Sequence, residues 1–146
     1  MEMMIQPNAW SCMPTALAMV LNLRPTDVIK VIGHDGSKIC SNEQEPLCRR
    51  GFDYNEIFDV CYKIGVPVGL VATKPVSVHE QMIYEEQRAY ARIGSLLQKH
   101  RGIILGLVDG KSHAVAWDTH MVHDPTGYKY EIDDSRLEIE YFILVY

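Results

Sequence analysis

Residues 6–22 read QPNAWSCMPTALAMVLN. From Cys12 to Leu23 the run is rich in helix formers, and Pro14 falls in the first turn, where a missing N–H costs nothing. The sequence therefore predicts a mostly buried helix starting at Cys12. The positive end of its macrodipole favours a thiolate, and its unpaired N–H groups can bind a developing oxyanion. Gln6 lies six positions earlier on an irregular stretch, Pro7 to Trp10, that can fold back toward the helix. Its carboxamide can donate to the same oxyanion.

A free thiol with pKa about 8.5 is only a few per cent thiolate at neutral pH, so Cys12 needs a base. The segment SHAVAW, Ser112 to Trp117, reads as a strand with His113 at its mouth. If Asp118 and Thr119 form a two-residue hairpin loop, Trp117 pairs with His120 and His113 faces Asp124. Directly opposed side chains have Cβ atoms about 4.5–5.5 Å apart, close enough for a carboxylate to fix an imidazole tautomer. A four-residue loop leaves the pair diagonal on one face, whereas a plain three-residue loop puts them on opposite faces. Cys12, His113 and Asp124 form the candidate triad, with Gln6 as oxyanion donor.

Outward from these blocks, a helix is expected from Thr26 to Ile32, closed by Gly33, and another from Tyr54 to Ile64, capped by Asp53 and ended by Gly65. Residues His34 to Gly51 hold Asp35-Gly36, Ser41-Asn42 and Pro46 and read as a long loop. Val66 to Ala72 reads as a strand, and Ser77 to His100 as helical with a break near Gly94. From Ile103 onward the segments IILGLV, HAVAW, MVHD, YKYEI and EIEYFILVY are short, β-branched or aromatic. Helices that precede strands, without alternating with them, indicate an α+β domain: N-terminal helices carrying the nucleophile, packed on a C-terminal antiparallel sheet. No repeat or internal boundary divides residues 1–146.

At 146 residues with 47% hydrophobic content, one domain can bury a full core without staples. The net charge of −5 argues against a nucleic-acid partner. No apolar run approaches the roughly 18 residues that would cross a bilayer, and Met1 to Asn8 lacks the marks of a signal peptide. The expectation is a soluble, cytoplasmic protein with reduced thiols and no membrane partner.

Other groups compete for a chemical role. His34, His79, His100, His120 and His123 are the remaining histidines, and on the hairpin His123 points to the face opposite His113. A zinc site can be drawn from His34, Cys40, Cys48 and Cys61, but no C-x2-C or H-x3-H spacing supports it. No metal or cofactor is expected. Cys40 and Cys48 could close a loop in an oxidising setting, and thiols without function are the preferred reading.

QPNAWSCMPTALAMVLN resembles the Q-x5-C-G-P-T-S-L-A-M-V-L segment of papain-like cysteine peptidases, in the branch of bacteriocin-processing leader peptidases and their stand-alone relatives. SHAVAWDTHMVHDPTG resembles that branch's H-A-V-V and D-P-x-G segment, and FDYNEIFDVCYKIGVPVGLV the helix and strand between. The resemblance implies a papain-like fold with Cys12 as nucleophile, His113 as base then acid, Asp124 as orienter and Gln6 in the oxyanion hole. It also implies a peptide or protein substrate. Met13 stands where that family usually has glycine, and the hairpin after His113 is shorter than usual. The expected activity is peptide or amide hydrolysis through an acyl-thioester. The alternatives are an inactive binding module on the same fold and a thiol acyltransferase or deamidase.

Overall fold

A computed structural model describes residues 1–40, 48–72 and 93–146. Helix α1 spans Cys12–Leu21, α2 Pro25–Ile32 and α3 Tyr54–Ile64. Short strands β1 (Ile39–Cys40) and β2 (Cys48–Arg49) pair between α2 and α3. Strand β3 spans Val68–Ala72, and residues 93–99 form helix α4. Then come β4 (Gly102–Val108), β5 (Lys111–Trp117), β6 (Val122–Asp124), β7 (Tyr128–Tyr130) and β8 (Glu138–Val145). This is a mixed α+β domain in which β3 and β4–β8 form a six-stranded antiparallel sheet, ordered β3-β8-β4-β5-β6-β7.

Period-2 alternation divides the central strands between two cores. Ile103 and Leu105, Ala114 and Ala116, and Ile143 and Val145 pack with Leu17, Met19, Val28 and Ile57 from α1, α2 and α3. On the other face Ile104, Val115, Trp117, Phe142 and Leu144 pack with Ile93 and Leu97 of α4. The Trp117 indole Nε1–H donates to Leu97 O at 2.7 Å, which satisfies its polar edge and ties α4 to β5. Gly106 lets β4 and β8 approach: a Cβ there would stand 2.1 Å from Glu138 O.

Helix α1 begins at Cys12 as expected but stops at Leu21, because Asn22 turns left-handed with φ 56° and Leu23 N–H donates to Ala18 O. Helix α2 takes in Pro25, whose fixed φ suits a first helical position. Helix α3 matches its expected bounds, with Asp53 accepting from Asn55 and Glu56 N–H while Glu56 accepts from Asp53 N–H. Strand β3 starts at Val68, two residues late, since Val66 N–H is spent on Cys61 O at the end of α3 and Pro67 has no N–H. Of the loop expected over 34–51, residues 41–47 lie outside the described residues, and the described part holds the paired strands β1 and β2 instead of continuous loop. Of the helix expected over 77–100, residues 77–92 lie outside the described residues. The described part runs through Gly94 without the expected break and ends before His100.

The hairpin after His113 needs a correction. Trp117 pairs with Val122, not His120, and Ala116 with His123, so the loop holds four residues, 118–121. Asp118 sets its length. Its carboxylate accepts from His120 N–H at 2.9 Å and Met121 N–H at 2.7 Å, and Asp118 N–H donates to Met121 O at 3.3 Å. Because the register moves by an even number, His113 and Asp124 stay on one face, as diagonal neighbours.

Candidate active site

Cys12 is the first residue of α1 and only half-buried, while its neighbours from Pro14 to Val20 are buried. The cap residue Ser11 is wholly buried, with its hydroxyl donating to Asn8 O. Trp10 N–H in turn donates to Asn8 Oδ1. This knot of short bonds folds the Pro7–Trp10 stretch back against the helix start, and the N–H groups of Cys12 and Met13 keep no partner among the described residues.

The His113 imidazole, at the open end of β5, lies 3.0 Å through Nε2 from both oxygens of Asp124. Asp124 occupies Nε2, which leaves Nδ1 for the interaction with Cys12 that helps raise the imidazole. Asp124 ends β6 and is held by four donors. Besides His113, Thr126 donates through N–H at 2.9 Å and through its hydroxyl at 2.6 Å, and the Tyr130 hydroxyl donates at 3.0 Å. Burial alone would raise the Asp124 carboxyl, but the bonds from His113 and Thr126 outweigh it and hold it at about 2. The hydrogen bond to Asp124, then that to Cys12, raise His113 against burial to about 9. Burial and the adjacent carboxylate push the Tyr130 hydroxyl well above its ordinary range, so it stays a donor. The site thus carries an imidazolium through neutral pH, the counter-ion a thiolate requires.

Gln6 reaches this centre from the N-terminal segment, where its N–H donates to Pro125 O at 2.8 Å. Its Oε1 is buried without a partner, which leaves the Nε2 end as the open donor. Gln6, His113 and Asp124 line a cavity of about 530 Å³, and Cys12, Met13 and His113 a second of about 480 Å³. Ala9, Ser112 and His113 border both, so the triad stands at the middle of one cleft. Met13 lines the second cavity, with its half-buried side chain packed against the core. Chemically, the arrangement offers a nucleophile, a cation that can become a proton donor, and two candidate oxyanion donors, the helix N–H groups and Gln6, on adjoining cavities.

The competing groups have other work. His123 is fully buried on the α1 face beside Ala116, with Nε2 2.6 Å from Asp118 Oδ2. His34 lies 2.5 Å from Glu56 Oε1, accepts from Gly36 N–H and stacks on Phe52. His120 contacts Thr119 and His100 the ring of Tyr146. His79 lies outside the described residues. Burial in the core pushes the Cys61 thiol up to about 11, which makes it inert at neutral pH. Among the described residues no three metal-ligating side chains converge. Nor is any helix there long and apolar enough to cross a membrane.

Sequence reasoning passed over Thr126 and Tyr130. The Asp-Pro-Thr-Gly string carried a signal for the first, since an aspartate accepting from a residue two positions on is an ordinary turn device. Nothing local marks Tyr130, which comes back to Asp124 only through the β6–β7 pairing. No protein-family model and no curated protein matches the chain.

Proposed function

We propose that this protein is a cysteine peptidase of papain-like fold, cleaving a peptide or related amide bond through an acyl-thioester on Cys12. The observation that carries the reading is His113, bonded through Nε2 to Asp124 and lining one cavity with Cys12 at a helix N-terminus. In this mechanism the Cys12 sulfur attacks the substrate carbonyl, whose oxygen takes the negative charge and is held by Gln6 Nε2 and the Cys12 N–H. The C–N bond then breaks as His113 gives its proton to the leaving amine. Water, deprotonated by His113, attacks the thioester, releases the acid and restores the thiolate and imidazolium. A thiol that must stay reduced fits a cytoplasmic setting.

The test is direct. At pH 6 iodoacetamide should alkylate Cys12 well before Cys40, Cys48 or Cys61, and acid quenching during turnover of a peptide library should trap an acyl adduct on Cys12 by mass spectrometry. Equal labelling of all four thiols, or products formed by a Cys12→Ala variant, would overturn the assignment.

A further inference from the structure

Resting on that reading, we infer that the cleft selects a substrate with a carboxylate, an aspartate or glutamate side chain, which docks on Arg49 two or three residues from the scissile bond. Arg49 follows Cys48 on β2 and lines the same cavity as Cys12 and His113. Its guanidinium is fixed at two points, lying 4.7 Å from the centre of the Trp10 ring and donating through Nη1 to Ser37 O at 2.7 Å. Two contacts of this kind spare the ordering cost of a loose side chain and leave Nε and Nη2 with no hydrogen bond among the described residues, able to grip an anion.

Among the described residues the nearby acids are engaged elsewhere. Arg50 takes Glu56 at 2.8 Å, and Glu56 is also engaged by His34. The Asp53 carboxylate serves the N-terminus of α3, and Glu140, which lines the same cavity, is engaged as well. Arg49 therefore has no carboxylate partner among the described residues. A chain with net charge −5 repels acidic peptides in general, so a cation held open beside the nucleophile has a selective effect. Trp10 stands two residues before Cys12, so their Cα atoms lie within about 7 Å of each other. An extended substrate advances about 3.3 Å per residue, which brings its second or third residue to the guanidinium.

Protection of Cys12 against iodoacetamide tests this without requiring turnover. Hexapeptides carry glutamate or glutamine in turn at each of the six positions, and the half-protecting concentration is read by mass spectrometry. At one position glutamate should protect at about tenfold lower concentration than glutamine. With each half-protecting concentration read against that variant's own unprotected alkylation rate, Arg49→Gln should remove the preference and Arg49→Lys should keep part of it. If Cys12 labels selectively but no position prefers glutamate, or no peptide protects, the inference falls and the nucleophile reading stands. If Cys12 does not label selectively, both fall.

Discussion

His113 and Asp124 are diagonal rather than directly opposed across β5 and β6, yet one imidazole nitrogen sits 3.0 Å from each carboxylate oxygen. The symmetric contact fixes the ring plane and leaves Nδ1 for Cys12. Asp124 therefore acts on the imidazole's orientation and charge, not on substrate.

Asp124→Asn should lower kcat/KM by about 10²-fold with little change in the urea midpoint, because the amide keeps a hydrogen bond but loses the charge. The pH behaviour follows in sign. His113 is raised in the folded protein, so the pair's stabilisation is complete below the ordinary histidine value of about 6.5 and is lost as pH rises through about 9. Asp124 is lowered, so on the acid side stability is present above its ordinary value, about 3.9, and is lost as pH falls toward about 2. NMR titration of His113 in the variant should move back toward 6.5. An unmoved titration would show that Asp124 is not what raises it.

Thr126 and Tyr130 each bond one of the two Asp124 oxygens that His113 contacts, so their removal should act on catalysis through geometry. Thr126→Val deletes the 2.6 Å hydroxyl bond and Tyr130→Phe the 3.0 Å one. Each should cost about 1.5–3 kcal/mol in urea unfolding, the usual range for a hydrogen bond to a charged group. Each should also raise the Asp124 pKa and lower kcat more than it changes KM. Thr126→Ser should rescue the first. Variants that lose stability with an unaltered pH–rate profile would assign these residues to the fold alone.

Much of this site was legible because each part is a local pattern. Pro14 and the apolar run fix the start of α1 at Cys12, and the strand character of 113–117 followed by a nearby polar turn places His113 and Asp124 on one hairpin. Their common face survived a wrong loop length because side-chain parity repeats every two residues. The length was missed because Asp118 spends its carboxylate on loop N–H groups, and because Thr119 adopts φ 83°, a conformation a β-branched residue rarely takes. Strands β1 and β2, two residues each, are too short to carry any period. The Arg49–Trp10 contact joins two segments far apart in sequence, and no local pattern announces it.

Asp118→Ala should destabilise the fold without touching the triad. It deletes the two loop acceptor bonds and strands His123, fully buried with its Nδ1 already lacking a partner. Stranding a buried polar group costs about 1–3 kcal/mol, so a loss near the top of that range is expected in urea unfolding. Burial opposes ionisation of Asp118, but bonds from Met121, His123 and His120 outweigh it and hold the carboxyl at about 2. Its contribution is thus present above about 3.9 and lost as pH falls toward 2. The variant should show a shallower acid limb in a plot of stability against pH. An unchanged limb would mean that the pair adds nothing.

Gln6→Ala separates the two halves of the proposed chemistry. Gln6 lines the cavity beside His113 and Asp124, is anchored by its own backbone to Pro125 and has no side-chain bond to Cys12 or His113 among the described residues. Thiolate formation depends on the helix N-terminus and the imidazolium, neither of which the substitution disturbs. Alkylation of Cys12 by iodoacetamide should therefore proceed at the wild-type rate. The tetrahedral intermediate loses one of its two donors, which should lower kcat by about 10²–10³-fold with KM little changed. His113→Ala should suppress both measurements, since the imidazole serves thiolate and leaving group alike. A Gln6→Ala protein that turns over normally would move the oxyanion hole to the Cys12 and Met13 N–H groups alone. One that loses alkylation as well would show that Gln6 shapes the helix start instead of binding the oxyanion.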